Sequence, residues 1–398
     1  MTPAARSHVP TRDELVARAV ALHPALRRHS TDADVNRRLS GSVVSAVADA
    51  GLFRLLTPTR FGGFEADVRT VVEVLAALGE ADGAAAWQAA IMAGSQWVAG
   101  HFPERAQQEI FGPGPDVRFA GSLRPMTARR VDGGLRISGR WPYASGSAHA
   151  QWAILGVIVT DGSVGPEGQP GPMMCMAPIG DLTIEDTWHT VGMRGTSSNT
   201  LVADEVFIPE HRTVSAEELL RGPATATDTS RYAMDFVPFG PLLLCAPILG
   251  LGQGALSLAI AAAQEKPLAH TFFTHQSDSV GIQVQIAEAA LKLQTARLHA
   301  YHVADIVDGD VVHGTKSGHD IRARAMAECG YAAQQALCAI DILVNVHGAG
   351  SFAKASPMQQ IWRDANTAAR HAGLNAYVGL EVLGKALLGV EERVSTML

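Results

Sequence analysis

The hydrophobic period changes twice along this chain, and that limits the folds open to it more than any other feature. Up to about residue 115 the apolar residues recur at helical spacing. Thr11 precedes Arg12-Asp13-Glu14, the pattern of an N-cap followed by acids in the first turn. A second helical pattern covers residues 35–50 and stops at Gly51. A third begins near Asp67 and sets Val68, Val71, Val72, Leu75 and Leu78 at helical spacing until Asp82-Gly83 breaks it. A small-residue helix follows over residues 84–100 with Trp87, Ile91 and Trp97, and Pro103 stands where a proline suits a first turn.

From residue 116 the pattern becomes short and strand-like, over 117–123, 127–131, 135–140, 152–159, 173–178 and 201–208. Gly133-Gly134, Asp161-Gly162 and residues 165–172 read as the turns between them, which suggests a small antiparallel sandwich or barrel. After about Asp235 the helical period returns in long Ala/Leu-rich segments at 254–264, 282–306, 317–346, 358–371 and 375–388. That order predicts an α+β chain in three parts: an N-terminal helical domain over 1–115, a central antiparallel β domain over 116–234 and a C-terminal helical bundle over 235–398.

With 398 residues the chain can bury a large core, and 47% apolar against 18% charged residues is far from a disordered composition. The net charge of −7 argues against a nucleic-acid partner. The basic pairs Arg27-Arg28, Arg37-Arg38 and Arg129-Arg130 read as solvated surface. The first ten residues lack the apolar core of a signal peptide. The apolar stretch at 238–251 is interrupted by Pro241 and Pro247 and reads as too short to span a bilayer. The expectation is therefore a cytoplasmic protein with no membrane partner. Cys175, Cys245, Cys329 and Cys338 form no metal-type pair and read as buried free thiols.

Two segments narrow the field. One is Gly139-Arg140-Trp141-Pro142-Tyr143-Ala144-Ser145-Gly146-Ser147-Ala148-His149-Ala150-Gln151-Trp152. The other is Gly192-Met193-Arg194-Gly195-Thr196-Ser197-Ser198-Asn199, continuing to Val206-Phe207-Ile208-Pro209-Glu210-His211-Arg212. Both resemble the acyl-CoA dehydrogenase superfamily, and more closely its oxygen-using branch, the two-component flavin-dependent monooxygenases. The resemblance extends from Phe61-Gly62-Gly63 through Arg363-Asp364.

The resemblance implies that Ser145 touches the N5/O4 edge of a flavin, with Tyr143 as the ring neighbour. Gly146 allows close backbone approach. The strand Gly121-Ser122-Leu123-Arg124-Pro125 resembles the segment that gives main-chain contacts to the pyrimidine side, so Ser122 and Leu123 are candidates. Residues 192–199 would lie against the flavin, through Ser197 and Ser198. His347-Gly348-Ala349-Gly350-Ser351-Phe352 resembles the family loop that reaches into a neighbouring subunit's flavin, which makes the oligomer, a homotetramer, part of the site. His371 stands where the dehydrogenases often place a glutamate base and the oxygenase branch commonly carries histidine. A histidine can give or take a proton at working pH. Trp87, Trp97 and Phe236 are candidate apolar walls of a substrate pocket, with core packing as the equal alternative for each.

The implied activity is that of an oxygenase component. It would take reduced flavin (FADH2 or FMNH2) from a separate NAD(P)H:flavin reductase, use O2 through a flavin C4a-hydroperoxide, and oxygenate a small aromatic or heteroaromatic substrate. Two alternatives stay open: an acyl-CoA dehydrogenase, and a flavin-free binding or scaffold protein on the same fold. The run Thr274-His275-Gln276-Ser277-Asp278-Ser279 lacks the Arg-x-Gln-Phe-Gly phrase that dehydrogenases use on flavin phosphates, and Ser95-Gln96-Trp97 departs from the histidine that several hydroxylases carry before the Trp. Gly250-Leu251-Gly252-Gln253-Gly254-Ala255 matches a dinucleotide fingerprint but has no βαβ setting, so close helix packing is the better reading. His299 and His302 share a helix face without an evident acidic partner, and no metal site is expected.

Overall fold

Helices occupy the chain before the first strand in the computed structural model, which describes residues 9–160, 171–221 and 231–398. Helix α1 (Arg12–Ala21) starts in a capping box: Thr11 accepts from the Glu14 amide, and Glu14 accepts from the Thr11 amide at 2.8 Å. Helix α3 (Gly41–Asp49) occupies the pattern expected over 35–50, and α2 (His23–Asn36) lies almost wholly before it. Arg37 turns left-handed at φ 55° to end α2, and Ser40 Oγ accepts from the Val43 amide at 3.3 Å to start α3. Helices α4 (Val68–Ala81), α5 (Gly83–Gly100) and α6 (Glu104–Phe111) follow. Asp82 ends α4 and also caps α5, its carboxylate accepting from the Ala85 amide at 2.8 Å.

Strands β1 (Phe119–Val131), β2 (Gly134–Ala144), β3 (Trp152–Val159), β4 (Pro172–Pro178), β5 (Thr183–Glu185), β6 (Asn199–Pro209) and β7 (Thr213–Ser215) form one sheet in the order β5-β6-β2-β1-β3-β4-β7. The sheet is mixed, not wholly antiparallel, because β1 and β3 run parallel. The short connection through residues 145–151 brings β3 in beside β1 at the end where β1 itself begins, so the two must share a direction. The strands expected at 117–123 and 127–131 are one, with a register shift between Ser122 and Met126. Trp141 anchors the core beneath the sheet and donates from Nε1 to the Gly156 carbonyl at 2.9 Å. The turns expected at Asp161-Gly162 and over 165–172 lie wholly or largely outside the described residues.

After α7 (Ala216–Arg221) come α8 (Phe236–Glu265), α9 (Val280–His313), α10 (His319–His347), α11 (Pro357–Ala368) and α12 (Ala376–Leu388). Helix α8 runs on through Pro241 and Pro247, so the apolar stretch is neither broken nor short as the sequence suggested. By length and composition α8 could cross a bilayer, but 72% of its most apolar window is buried inside the fold, against α4, α5, α9 and α10. It is the helix the others pack around. The glycines of the apparent dinucleotide fingerprint serve that packing. A Cβ on Gly250 would lie 2.1 Å from the Ala76 carbonyl oxygen, and one on Gly79 would lie 2.6 Å from that of Pro247.

Two smaller expectations are corrected. Cys175, Cys245 and Cys329 are buried free thiols, but Cys338 is exposed. The histidine pair of α9 does face an acid: Glu328 of α10 lies 2.8 Å from His302 Nδ1 and 3.9 Å from His299 Nδ1. The acid comes from another helix, so spacing along α9 could not show it.

Candidate active site

Four buried side chains from three separate stretches of chain form a single hydrogen-bonded row. Thr196 Oγ1 donates to the Met193 carbonyl at 2.8 Å. Ser198 Oγ lies 2.6 Å from Thr196 Oγ1, and Ser145 Oγ lies 2.8 Å from Ser198 Oγ. Trp87 Nε1 donates to Ser145 Oγ at 3.1 Å. Ser145, Thr196, Ser198 and Trp87 are all buried.

Local backbone chemistry brings these residues together. Strand β2 ends at Ala144 and the chain turns sharply, with Tyr143 at φ 63° and Gly146 at φ 81°. The Gly146 amide donates to the Thr196 carbonyl at 2.8 Å, and Ser147 Oγ donates to the Ser197 carbonyl at 2.6 Å, so the two motifs are laced side by side. The 193–198 segment is itself folded into a tight 3₁₀ turn between left-handed Met193 (φ 53°) and Ser197 (φ 45°). Helix α5 supplies Trp87 and the next residue, Gln88, whose Nε2 donates to the Gly195 carbonyl at 3.2 Å. From the bundle, Asp364 Oδ1 accepts from the Met193 amide at 2.5 Å. Burial and the neighbouring Asp82 push the Asp364 carboxyl up to about 7, against the pull of that amide.

His371 follows the end of α11 and joins the site through Trp87, their ring centroids 5.8 Å apart. Its Nδ1 accepts from the Gly373 amide at 3.1 Å, so the neutral ring carries its proton on Nε2. The residue keeps an exposed edge in the single chain, yet the ring is enclosed enough that burial lowers its pKa below 6.5. The site therefore holds one aromatic wall, one neutral imidazole whose Nε2–H meets no acceptor among the described residues, and a hydroxyl row.

The other sequence candidates fall at varied distances from this centre. Ser122 and Leu123 lie on β1 beside the register shift, with Leu123 exposed. Tyr143 is 70% exposed and meets the Trp188 ring edge-on at 6.1 Å. Trp97 and Phe236 belong to an aromatic cluster with Phe239, at centroid separations of 5.7 Å for Trp97–Phe236 and 5.9 Å for Trp97–Phe239, and Trp97 is fully buried. The His347–Gly350 loop caps α10, where Lys266 Nζ approaches His347 Nε2 at 3.2 Å and leaves a buried Nδ1 with no partner among the described residues. Thr196 and Asp364 were not singled out from sequence, although both stand inside quoted motifs; the run of hydroxyl residues Thr196-Ser197-Ser198 was the available signal. An open groove lined by His101, Arg105, Phe207 and His211 contains none of these residues.

A flavin ring fits this donor set. It needs an apolar wall, a close backbone approach and polar groups at one edge, which Trp87, the Gly146 turn, and Ser145 with His371 provide. Residues 242–376 match the family model described as acyl-CoA dehydrogenase, C-terminal domain. The oxygenase subunit HsaA of a flavin-dependent monooxygenase from Rhodococcus jostii is 33% identical over 88% of this chain and 92% of its own. The oxygenase component of an FADH2-dependent resorcinol hydroxylase from Rhizobium sp. is 29% identical over 95% of both. The solved structure of XiaF from Streptomyces sp., in complex with FADH2 and glycerol, superposes with a TM-score of 0.90 at 35% identity, over 96% of this chain and 97% of that one. The chain belongs to the two-component flavin-dependent monooxygenases of the acyl-CoA dehydrogenase fold. It is the oxygenase component of such a system, using reduced flavin and O2 with a separate reductase and a small-molecule substrate. The dehydrogenase and scaffold alternatives give way to that assignment.

Proposed function

We propose that this oxygenase hydroxylates a small aromatic compound in the cytoplasm, with the flavin held between the Ser145 turn and His371 and with a homotetramer completing the site. The observation that carries the reading is Trp87, which hydrogen-bonds Ser145 and packs against His371 at once. The resorcinol hydroxylase relative supports the aromatic class. The NAD(P)H-dependent reductase is the source of reductant in this reading.

Bound reduced flavin supplies the electrons that activate O2. The chain's own residues do the rest. Ser145 holds the N5 edge, and the Gly146 turn lets backbone approach the ring. Residues 192–199, through Ser197 and Ser198, lie against the flavin beside the Ser145 turn, and Ser122 and Leu123 offer main-chain groups to the pyrimidine edge. His371 presents Nε2–H to an oxygen of the substrate or of the reacting oxygen species, and a proton placed there contributes about 10²–10⁴ in rate. Trp87 excludes water from that face.

Val284, Leu291 and Leu298 leave a seven-residue stripe of apolar surface exposed along α9, which supports assembly through the bundle. The His347–Gly350 loop would then enter a neighbouring subunit's site. The test is turnover with a flavin reductase, NADH and a panel of phenols under ¹⁸O₂. One labelled oxygen per product is expected. Flavin reoxidation at its free-solution rate with no labelled product from any phenol overturns the proposal.

A further inference from the structure

The direction of every hydrogen bond in the Thr196–Ser198–Ser145 row is fixed by its ends. The Met193 carbonyl can only accept, so the single hydroxyl hydrogen of Thr196 points to it, at 2.8 Å. Ser198 must then donate to Thr196, across 2.6 Å. With its own hydrogen used, Ser198 accepts from Ser145, across 2.8 Å. The indole N–H of Trp87 can only donate, and it takes one lone pair of Ser145 Oγ at 3.1 Å. Ser145 is left with no hydrogen to give. It has one lone pair that nothing among the described residues engages.

We infer that this one-way row makes Ser145 a reader of flavin redox state, presenting an acceptor to the N5–H of reduced flavin and no donor to the bare N5 of oxidised flavin. The inference rests on the reading that Ser145 meets the N5 edge. Reduced flavin carries a hydrogen on N5 and matches the free lone pair. Oxidised flavin carries only a lone pair there, and two lone pairs facing each other in a buried site are unfavourable. To donate to oxidised N5, Ser145 would have to abandon Ser198. Thr196 and Ser198 are thus specificity-determining positioning residues that act through Ser145. For an oxygenase that receives reduced flavin from a separate reductase, the device favours uptake of the reduced form and release of the oxidised one.

The test compares dissociation constants of FMN and FAD, each oxidised and each reduced under anaerobic conditions, by fluorescence and absorbance titration. The wild type is expected to bind the reduced form roughly 10-fold or more tighter. Ser198→Ala removes the acceptor for the Ser145 hydrogen and frees that hydroxyl to rotate. The preference should then shrink roughly 3- to 10-fold, through tighter binding of the oxidised form. Thr196→Val should act in the same sense, and Thr196→Ser should restore the wild-type ratio. Ser145→Ala should shrink the preference from the other side, by weakening the reduced form. An unchanged ratio in Ser198→Ala, with Ser145→Ala weakening reduced flavin, overturns the redox-reading row and leaves the N5 contact standing. Unchanged binding of both forms in Ser145→Ala overturns the N5 contact itself. Should a variant fail to fold, ¹⁵N NMR of reduced flavin labelled at N5 reads the wild type directly. An N5–H shift no different from that in water overturns the inference.

Discussion

Trp87 donates its indole N–H to Ser145 Oγ at 3.1 Å, and this single bond ties the first helix face of the site to its hydroxyl row. Trp87→Phe keeps an aromatic wall and removes only the donor. The buried Ser145 oxygen loses a partner, which costs about 1 kcal/mol of stability, while its hydrogen stays on Ser198. Chemical denaturation should show that loss as a lower midpoint with an unchanged slope. Anaerobic titration should show reduced flavin bound roughly 3- to 10-fold more weakly. Full wild-type affinity in this variant would place Trp87 outside the flavin's surroundings.

His371 should report itself in the pH dependence. Burial disfavours its imidazolium, so its pKa in the folded chain lies below 6.5. The neutral ring, with hydrogen on Nε2, is the form present at neutral pH. Its contribution to stability is complete above pH 6.5 and is lost as pH falls through the lowered value. Product formation should therefore hold from pH 8 down past 6.5 and decline only in more acid solution. His371→Ala should lower product formation about 10²–10⁴-fold while changing reduced-flavin affinity little. Coupled turnover at the wild-type rate in the alanine variant would remove His371 from the reaction.

The parts of this site legible in the sequence were those written in local pattern. The helix that carries Trp87 and the body of the strand leading toward Tyr143 follow from period, and the turn after Tyr143 from the motif's resemblance to the family. What could not be read is what depends on two distant stretches meeting. Asp364 reaches the Met193 amide from 171 residues further along the chain, and Glu328 reaches His302 from another helix. Helix α8 shows the same limit from the other side. Pro241 and Pro247 read locally as breaks, yet the glycine contacts with α4 and burial on nearly every face keep the helix continuous. The parallel pairing of β1 with β3 is likewise a matter of where a short connection leads, not of strand pattern.

Asp364 makes a prediction about stability. Its carboxyl is raised to about 7 from an ordinary value of 3.8, so the fold favours the protonated form. Its contribution to stability is complete below pH 3.8 and is lost as pH rises through about 7. Asp364→Asn keeps an acceptor for the Met193 amide and never ionises. The variant's stability relative to the wild type should rise by on the order of 2 kcal/mol between pH 5 and pH 8. Urea midpoints at the two pH values measure it. A difference that does not change with pH would mean the carboxyl does not titrate in this range.

The exposed stripe on α9 predicts the assembly. Leu291 is 68% exposed and Leu298 59%, seven residues apart on one face of a helix whose other faces are packed. Side chains of that size left in water along a bundle are stabilised by a second copy of the same surface. Leu291→Glu with Leu298→Glu places like charges on that face and should convert the oligomer to smaller species by sedimentation velocity. Neither side chain belongs to the single-chain core, so circular dichroism should remain that of the wild type. Flavin affinity should fall with the assembly, because the His347–Gly350 loop then has no neighbouring site to complete. A wild-type chain that sediments as a monomer would end the proposal. So would a dissociated variant that binds reduced flavin as tightly as the parent, since the loop would then have no part in the site.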